Sequence, residues 1–371
     1  MTGWTSYLVP FFLAWFCAMM FSLGTIRVAE RFGILDRPEG NERKIHKKPT
    51  PLLGGVGIFL AYWIIVGLWA WQSDLLSGFV LPKHLLGILI AGMILMIGGV
   101  LDDRYSLKPV IQVCFPILAT LVVIASGIGI SSVTIPMVKT FSLEQWSWTV
   151  LTIDGLSYRI VLLSDIVTFV WLLLMMYTTK LNDGLDGVVT GISAIAAFMI
   201  FLLSLTQEVA QPETALLALV LVGVALGFLV FNWSPALIFL GESGSLWFGF
   251  MLGVLSIFAG SKIATTVLVM GIPMLDFFWV VGRRIFVDRT HPFRADRKHL
   301  IHRLLDAGFT KRRAAVFLYV LATLFGLSSL YLTRVQKVWA VVLLLMVMIL
   351  LSVWVVVRGK IRDLDRGAKS R

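Results

Sequence analysis

Eleven apolar runs govern what this chain can fold into. They lie near residues 6–26, 52–72, 85–101, 109–130, 162–179, 188–206, 214–231, 244–260, 263–282, 314–333 and 338–357. About 20 residues at ~1.5 Å each cross the ~30 Å hydrocarbon layer of a bilayer. Only 14% of the 371 residues are charged, and the mean hydropathy is +0.90. Soluble domains carry about a quarter charged residues. A soluble globule, a disulfide scaffold and a disordered tail are therefore all excluded. The expected fold is all-α, a polytopic integral membrane bundle of 10–11 transmembrane helices. It is read as a single domain over 1–371, with a basic tail at 358–371.

The formal net charge of +11 would point a soluble protein toward polyanions, but here it reports orientation. The first 26 residues hold no Lys or Arg, so no cleavable leader is expected and the N-terminus is placed outside. The inner segments are then 27–51, 102–108, 180–187, 232–243, 283–313 and the tail from Arg358, which puts the C-terminus in the cytoplasm. They hold 26 of the 32 Lys and Arg residues. Nucleic acid is not an expected partner; membrane lipid is. The longest outer segment, 131–161, reads as a short hairpin or a surface-lying element. Cys17 and Cys114 sit in apolar stretches and suggest neither a staple nor a ligand pair.

The acids are the informative minority. Fifteen of the 21 Asp and Glu fall on or near the inner side, and ionisable groups at membrane depth are costly and usually functional. Asp102 and Asp103 end an apolar span after Gly98-Gly99. Adjacent carboxylates repel unless a cation or proton lies between them, although a solvated helix end would also accommodate them. Asp183 and Asp186 fall in Asp-Gly-Leu-Asp-Gly, three apart, where two glycines argue for a bent segment and a plain turn stays open. Glu242 lies among small residues before an apolar span, after Asn232 and Phe239. Free N–H groups there suit phosphate if a divalent ion bridges to the carboxylate; an N-terminal cap is the alternative. Asp276 stands about 10 Å up a helix from Arg283, with an ion pair to Arg283 or Arg284 as the structural reading.

The bases converge on the same face. His299, His302 and Arg303 close the basic loop, where phosphate recognition competes with lipid-headgroup binding. His46 and Lys48 belong to the first inner loop, His-Lys-Lys-Pro-Thr-Pro-Leu-Leu-Gly-Gly, whose Pro-x-Pro and Gly-Gly are not explained by anchoring. Carboxylates for a divalent metal together with bases for phosphates are the parts of a phosphoryl-transfer site.

This ordered set, from about Asp36 to Phe309, resembles the polyprenyl-phosphate N-acetylhexosamine-1-phosphate transferases. That family includes phospho-N-acetylmuramoyl-pentapeptide transferase and the undecaprenyl-phosphate N-acetylglucosamine-1-phosphate transferases. The resemblance implies transfer of a sugar-1-phosphate, most simply N-acetylglucosamine-1-phosphate, from a UDP-sugar to a polyprenyl phosphate, releasing UMP. It implies Mg2+, with Mn2+ as a substitute, and a place at the cytoplasmic face of the inner membrane in the first membrane step of a cell-envelope glycan such as lipopolysaccharide or teichoic acid. Asp102, Asp103, Asp183, Asp186 and Asp276 are then the catalytic acids, and Glu242 with Asp102 and Asp103 the metal side. His46, Lys48, Lys180, Asn232, Phe239, His299, His302 and Arg303 are the substrate-binding set, Asn232 and Phe239 at the uracil. A homodimer is left open.

Three positions depart from the family pattern. Lys180 stands where an Asn is usual, Glu242 where Asp is usual, and Ile301 within what is often a run of histidines. They leave room for a silent relative that binds nucleotide-sugar or scaffolds partners. A transporter or flippase is the other alternative, though such proteins usually show repeated halves and polar groups at the midplane.

Overall fold

The computed structural model describes residues 4–38, 48–72, 78, 80–135, 139–153, 156–259, 263–289 and 299–369. Helices follow the apolar runs: α1 Thr5–Phe32, α2 Gly54–Gln72, α3 Pro82–Tyr105, α4 Pro109–Ala125, α5 Leu162–Asn182, α6 Val188–Ser204, α7 Pro212–Asn232 and α8 Gly241–Phe258. Then come α9 Ile263–Val269, α10 Gly271–Phe286, α11 Leu300–Asp306, α12 Lys311–Tyr331 and α13 Arg334–Lys369. The protein is a multi-pass membrane protein. Among the described residues eight helices are long and apolar enough to cross a bilayer, or nine if α9 and α10 count as one bent span. The helices at 109–125 and 188–204 are apolar but shorter.

The expected span at 263–282 is broken in the structure: α9 and α10 meet at a bend of 77°. Pro273 supplies the physical reason. It has no N–H to give the Val269 carbonyl, so it sits in the first turn of a new helix, where such a donor is unused anyway. The basic tail, in turn, carries on as helix, with α13 running to Lys369.

Helix α8 is the axis of the bundle. Its apolar window is 94% buried, against 22% for the peripheral α13. Around it pack α5, α3, α2 and α6, while α1 lies along α7 and α12 along α6. Within the expected hairpin region, β3 Ser132–Ile135 pairs antiparallel with β4 Lys139–Ser142, and β5 Ser147–Ile153 with β6 Leu156–Val161. They cap the end of the bundle away from the acidic motifs.

At the other end the chain ties its loops together. The two-residue strands β1 Leu35–Asp36 and β2 Thr50–Pro51 pair antiparallel. Phe239 N donates to the Pro51 carbonyl at 2.8 Å, while Gly54 N and Gly55 N donate to the Phe239 and Leu240 carbonyls at 3.1 and 2.8 Å. The Pro-x-Pro and Gly-Gly of residues 49–55 thus brace the segment that leads into α8.

Candidate active site

A cavity of about 320 Å³ opens where the ends of α3, α5, α7 and α8 meet. Its wall carries Asp36, Asp103, Asp183, Asp186 and Glu242, together with Lys180, His302 and Lys311, and Asn232, Phe239 and Ser245.

Asp102 and Asp103 occupy the last turns of α3. Consecutive helical residues point about 100° apart, so the two acids part company. Asp103 faces the cavity, and its carboxylate accepts the Glu242 N–H at 3.0 and 3.2 Å. That N–H belongs to the first turn of α8, where helix donors lack an internal partner. Close backbone approach makes the bond possible. A Cβ on Gly99 would run into the Ser243 backbone, and Gly241, at φ +70°, lies against Asp103. Asp102 points elsewhere. Its Oδ1 accepts from Leu107 N at 2.8 Å and Gln112 Nε2 at 2.7 Å, and it is not on the cavity wall.

Asp183 and Asp186 lie in the turn between α5 and α6, which closes on Gly187 at φ +79°. They reach one cavity through a turn, not along a helix face. Burial, then the charges of Glu242 and Asp186, push the Asp183 carboxyl up to about 8. Asp186 Oδ2 accepts from Lys311 Nζ at 3.3 Å and Ala236 N at 3.4 Å. Glu242 forms an ion pair with Lys180, whose ammonium also donates to Gln112 Oε1 at 3.4 Å and lies 5.7 Å from the Tyr177 ring centre.

Asn232 lines the cavity, yet its amide is committed inward. Oδ1 accepts from Gly187 N at 3.1 Å and Thr190 Oγ1 at 2.8 Å, and Nδ2 donates to the Ile238 carbonyl at 2.9 Å. One side chain thereby fixes the end of α7, the start of α6 and the approach to α8. Phe239 adds a half-buried ring to the wall.

The structure does not bring every expected residue to the cavity. Asp276 is buried and accepts from Leu300 N at 2.8 Å, with His299 Nδ1 also at 2.8 Å. It pairs with the start of α11, whereas Arg283 pairs with Asp288 at 3.5 Å. Leu300, Ile301 and Leu304 of α11 turn into the core, which gives Ile301 a packing role, while His302 meets the cavity beside Gly184. Arg303 is half-buried and Lys48 exposed, both off the wall. His46 lies outside the described residues.

Four contributors were missed by sequence reasoning. Asp36 and Ser245 stand on the wall, and Gln112 behind it, without a local signal. Lys311 did have one. Thr310 caps α12 by accepting from Arg313 N at 3.3 Å, so three cations fill the first turn of a helix, where the dipole disfavours them. Such a placement asks for nearby anions. Asp186 receives Lys311, and Arg312 Nε donates to the Ser234 carbonyl at 2.7 Å.

Among the described residues no three His, Cys, Asp or Glu side chains form a closed metal cage. The donor set nevertheless fits a hard divalent cation. Mg2+ commonly takes one or two carboxylates and completes its shell with water and substrate phosphate. Five carboxylates on one wall, one of them holding its proton to about pH 8, lack the positive charge to ionise together.

Residues 85–260 match the family model described as glycosyl transferase family 4. A decaprenyl-phosphate N-acetylglucosaminephosphotransferase of Mycobacterium tuberculosis is 33% identical over 337 residues, 83% of this chain and 79% of that protein. A probable undecaprenyl-phosphate N-acetylglucosaminyl 1-phosphate transferase of Bacillus subtilis is 26% identical over 87% of this chain and 84% of its own length. A phospho-N-acetylmuramoyl-pentapeptide-transferase of Moorella thermoacetica is 34% identical over a shorter stretch, 44% of this chain and 51% of that protein.

Proposed function

Since the chain belongs to the polyprenyl-phosphate N-acetylhexosamine-1-phosphate transferases of glycosyl transferase family 4, we propose that it moves N-acetylglucosamine-1-phosphate from a UDP-sugar to a polyprenyl phosphate. In this reading a phosphate oxygen of the lipid attacks the sugar-linked phosphorus of the donor. The bond from that phosphorus to the bridging oxygen breaks, and UMP leaves with the electron pair. The product is a polyprenyl diphosphate carrying the amino sugar. The reaction opens a cell-envelope glycan at the cytoplasmic face of the inner membrane.

One observation carries the reading: carboxylates from α3, the α5–α6 turn and α8 share a cavity with Lys180, His302 and Lys311. Glu242 and Asp103 would hold Mg2+, which supplies positive charge against the phosphates when bound. Lys311 stands where a diphosphate would need a cation, His302 offers it an imidazole, and Phe239 offers a ring face to a base. Asp183 can take or release a proton near neutral pH at the cavity wall.

The test is UMP release by the purified protein with Mg2+, polyprenyl phosphate and a panel of UDP-amino sugars. Release with UDP-N-acetylglucosamine is expected. No release with any donor would reject the reading. The Lys180–Glu242 pair also favours a second one, binding without turnover. Retention of UDP-sugar with no UMP across several lipid acceptors would select it.

A further inference from the structure

We propose that Lys180 is a built-in counter-ion for Glu242 that a divalent cation must displace, so that this chain holds its metal site in a self-neutralised resting state. The inference rests on reading Glu242 as a carboxylate on the metal side of the cavity.

The geometry around Lys180 points to a cation with a second place to go. Its ammonium, in the last turn of α5, pairs with Glu242 in the first turn of α8. It also reaches Gln112 Oε1 at 3.4 Å, and the Tyr177 ring lies 5.7 Å away. Gln112 is held in turn, since its Nε2 donates to Asp102 Oδ1 at 2.7 Å and to the Leu107 carbonyl at 3.1 Å. The amide oxygen is thereby presented toward Lys180. When a divalent ion takes Glu242, the ammonium keeps a carbonyl oxygen, an aromatic face and the C-terminal end of the α5 dipole. Those acceptors are neutral or only partly charged, so a substrate phosphate arriving with the ion meets a cation already released toward it. Both partners stand where the family pattern has Asn and Asp. A longer acid reaching a longer base explains the two departures as one change.

Mn2+ binding to the purified full-length protein, followed by the electron paramagnetic resonance of free Mn2+ after chelator removal, tests this without turnover. Lys180→Gln should bind Mn2+ about tenfold or more tightly, because a positive charge close to the ion is gone. Lys180→Arg should stay near the parent protein. Gln112→Leu has the opposite expected sign: it removes the refuge of the displaced ammonium and weakens Mn2+ binding. Unchanged or weaker Mn2+ affinity in Lys180→Gln would overturn the proposal. So would the absence of Mn2+ binding in every variant. A lower melting temperature of Lys180→Gln in chelator, with unaltered Mn2+ affinity, would show a purely structural bolt and overturn it as well. UMP release by the parent protein is scored separately, and its absence rejects the functional reading whatever the Mn2+ titration gives.

Discussion

The acids of the α5–α6 turn and the acid of α10 differ in what they look at. Asp183 faces Glu242 and Asp186 across a cavity, and its carboxyl holds a proton up to about pH 8. Asp276, deep in the bundle, looks at a backbone N–H and an imidazole, each 2.8 Å away. Asp102 belongs with Asp276, since two local donors occupy one of its oxygens. Carboxylates that face one another leave an electrostatic demand for something from outside. Carboxylates matched to donors leave none and act as joints.

Three substitutions and one change of condition would break or sharpen that contrast. The largest effect is expected from Asp183→Asn, which should cut UMP release by about a thousandfold while leaving the melting temperature equal or higher. Asp102→Asn should lose far less activity; an equal loss would erase the distinction between facing and matched acids. Next comes Asp276→Ala. Removing a buried acceptor from two donors should lower unfolding stability by about 3 kcal/mol, measured by denaturant titration in detergent. Loss of turnover without loss of stability would instead place Asp276 in the chemistry. The smallest effect is the pH slope. The folded Asp183 carboxyl titrates near 8, above the ordinary carboxylate range. Its contribution to stability is therefore complete below the unfolded value, about 4, and is lost as pH rises through 8. In chelator the melting temperature should fall as pH rises from about 5 to about 8 and level off above that, and Asp183→Asn should flatten the fall.

The apolar runs and the acidic motifs were legible because both are local. Period and length mark a span, and Asp-Gly-Leu-Asp-Gly declares itself within five residues. Which acid of Asp102-Asp103 would face the cavity was not legible. It depends on the rotation of α3, set by Gly99 packing on Ser243 more than a hundred residues away. The Gln112–Lys180 and Lys311–Asp186 contacts join residues 68 and 125 positions apart, beyond any spacing rule. The α9–α10 bend did carry a local sign, Gly271 and Pro273, hidden inside an otherwise unbroken apolar stretch.

The anchoring of α11 has a consequence for how such a site changes over generations. Asp276 receives its two donors from His299, immediately before the helix, and Leu300, its first residue. The helix takes its height from these bonds and from Leu300, Ile301 and Leu304 in the core. A change at Asp276 would therefore move His302 off its station, although Asp276 itself is not on the cavity wall. On the opposite edge the α3 and α8 backbones touch, so a side chain added at Gly99 would part the two helices that carry Asp103 and Glu242.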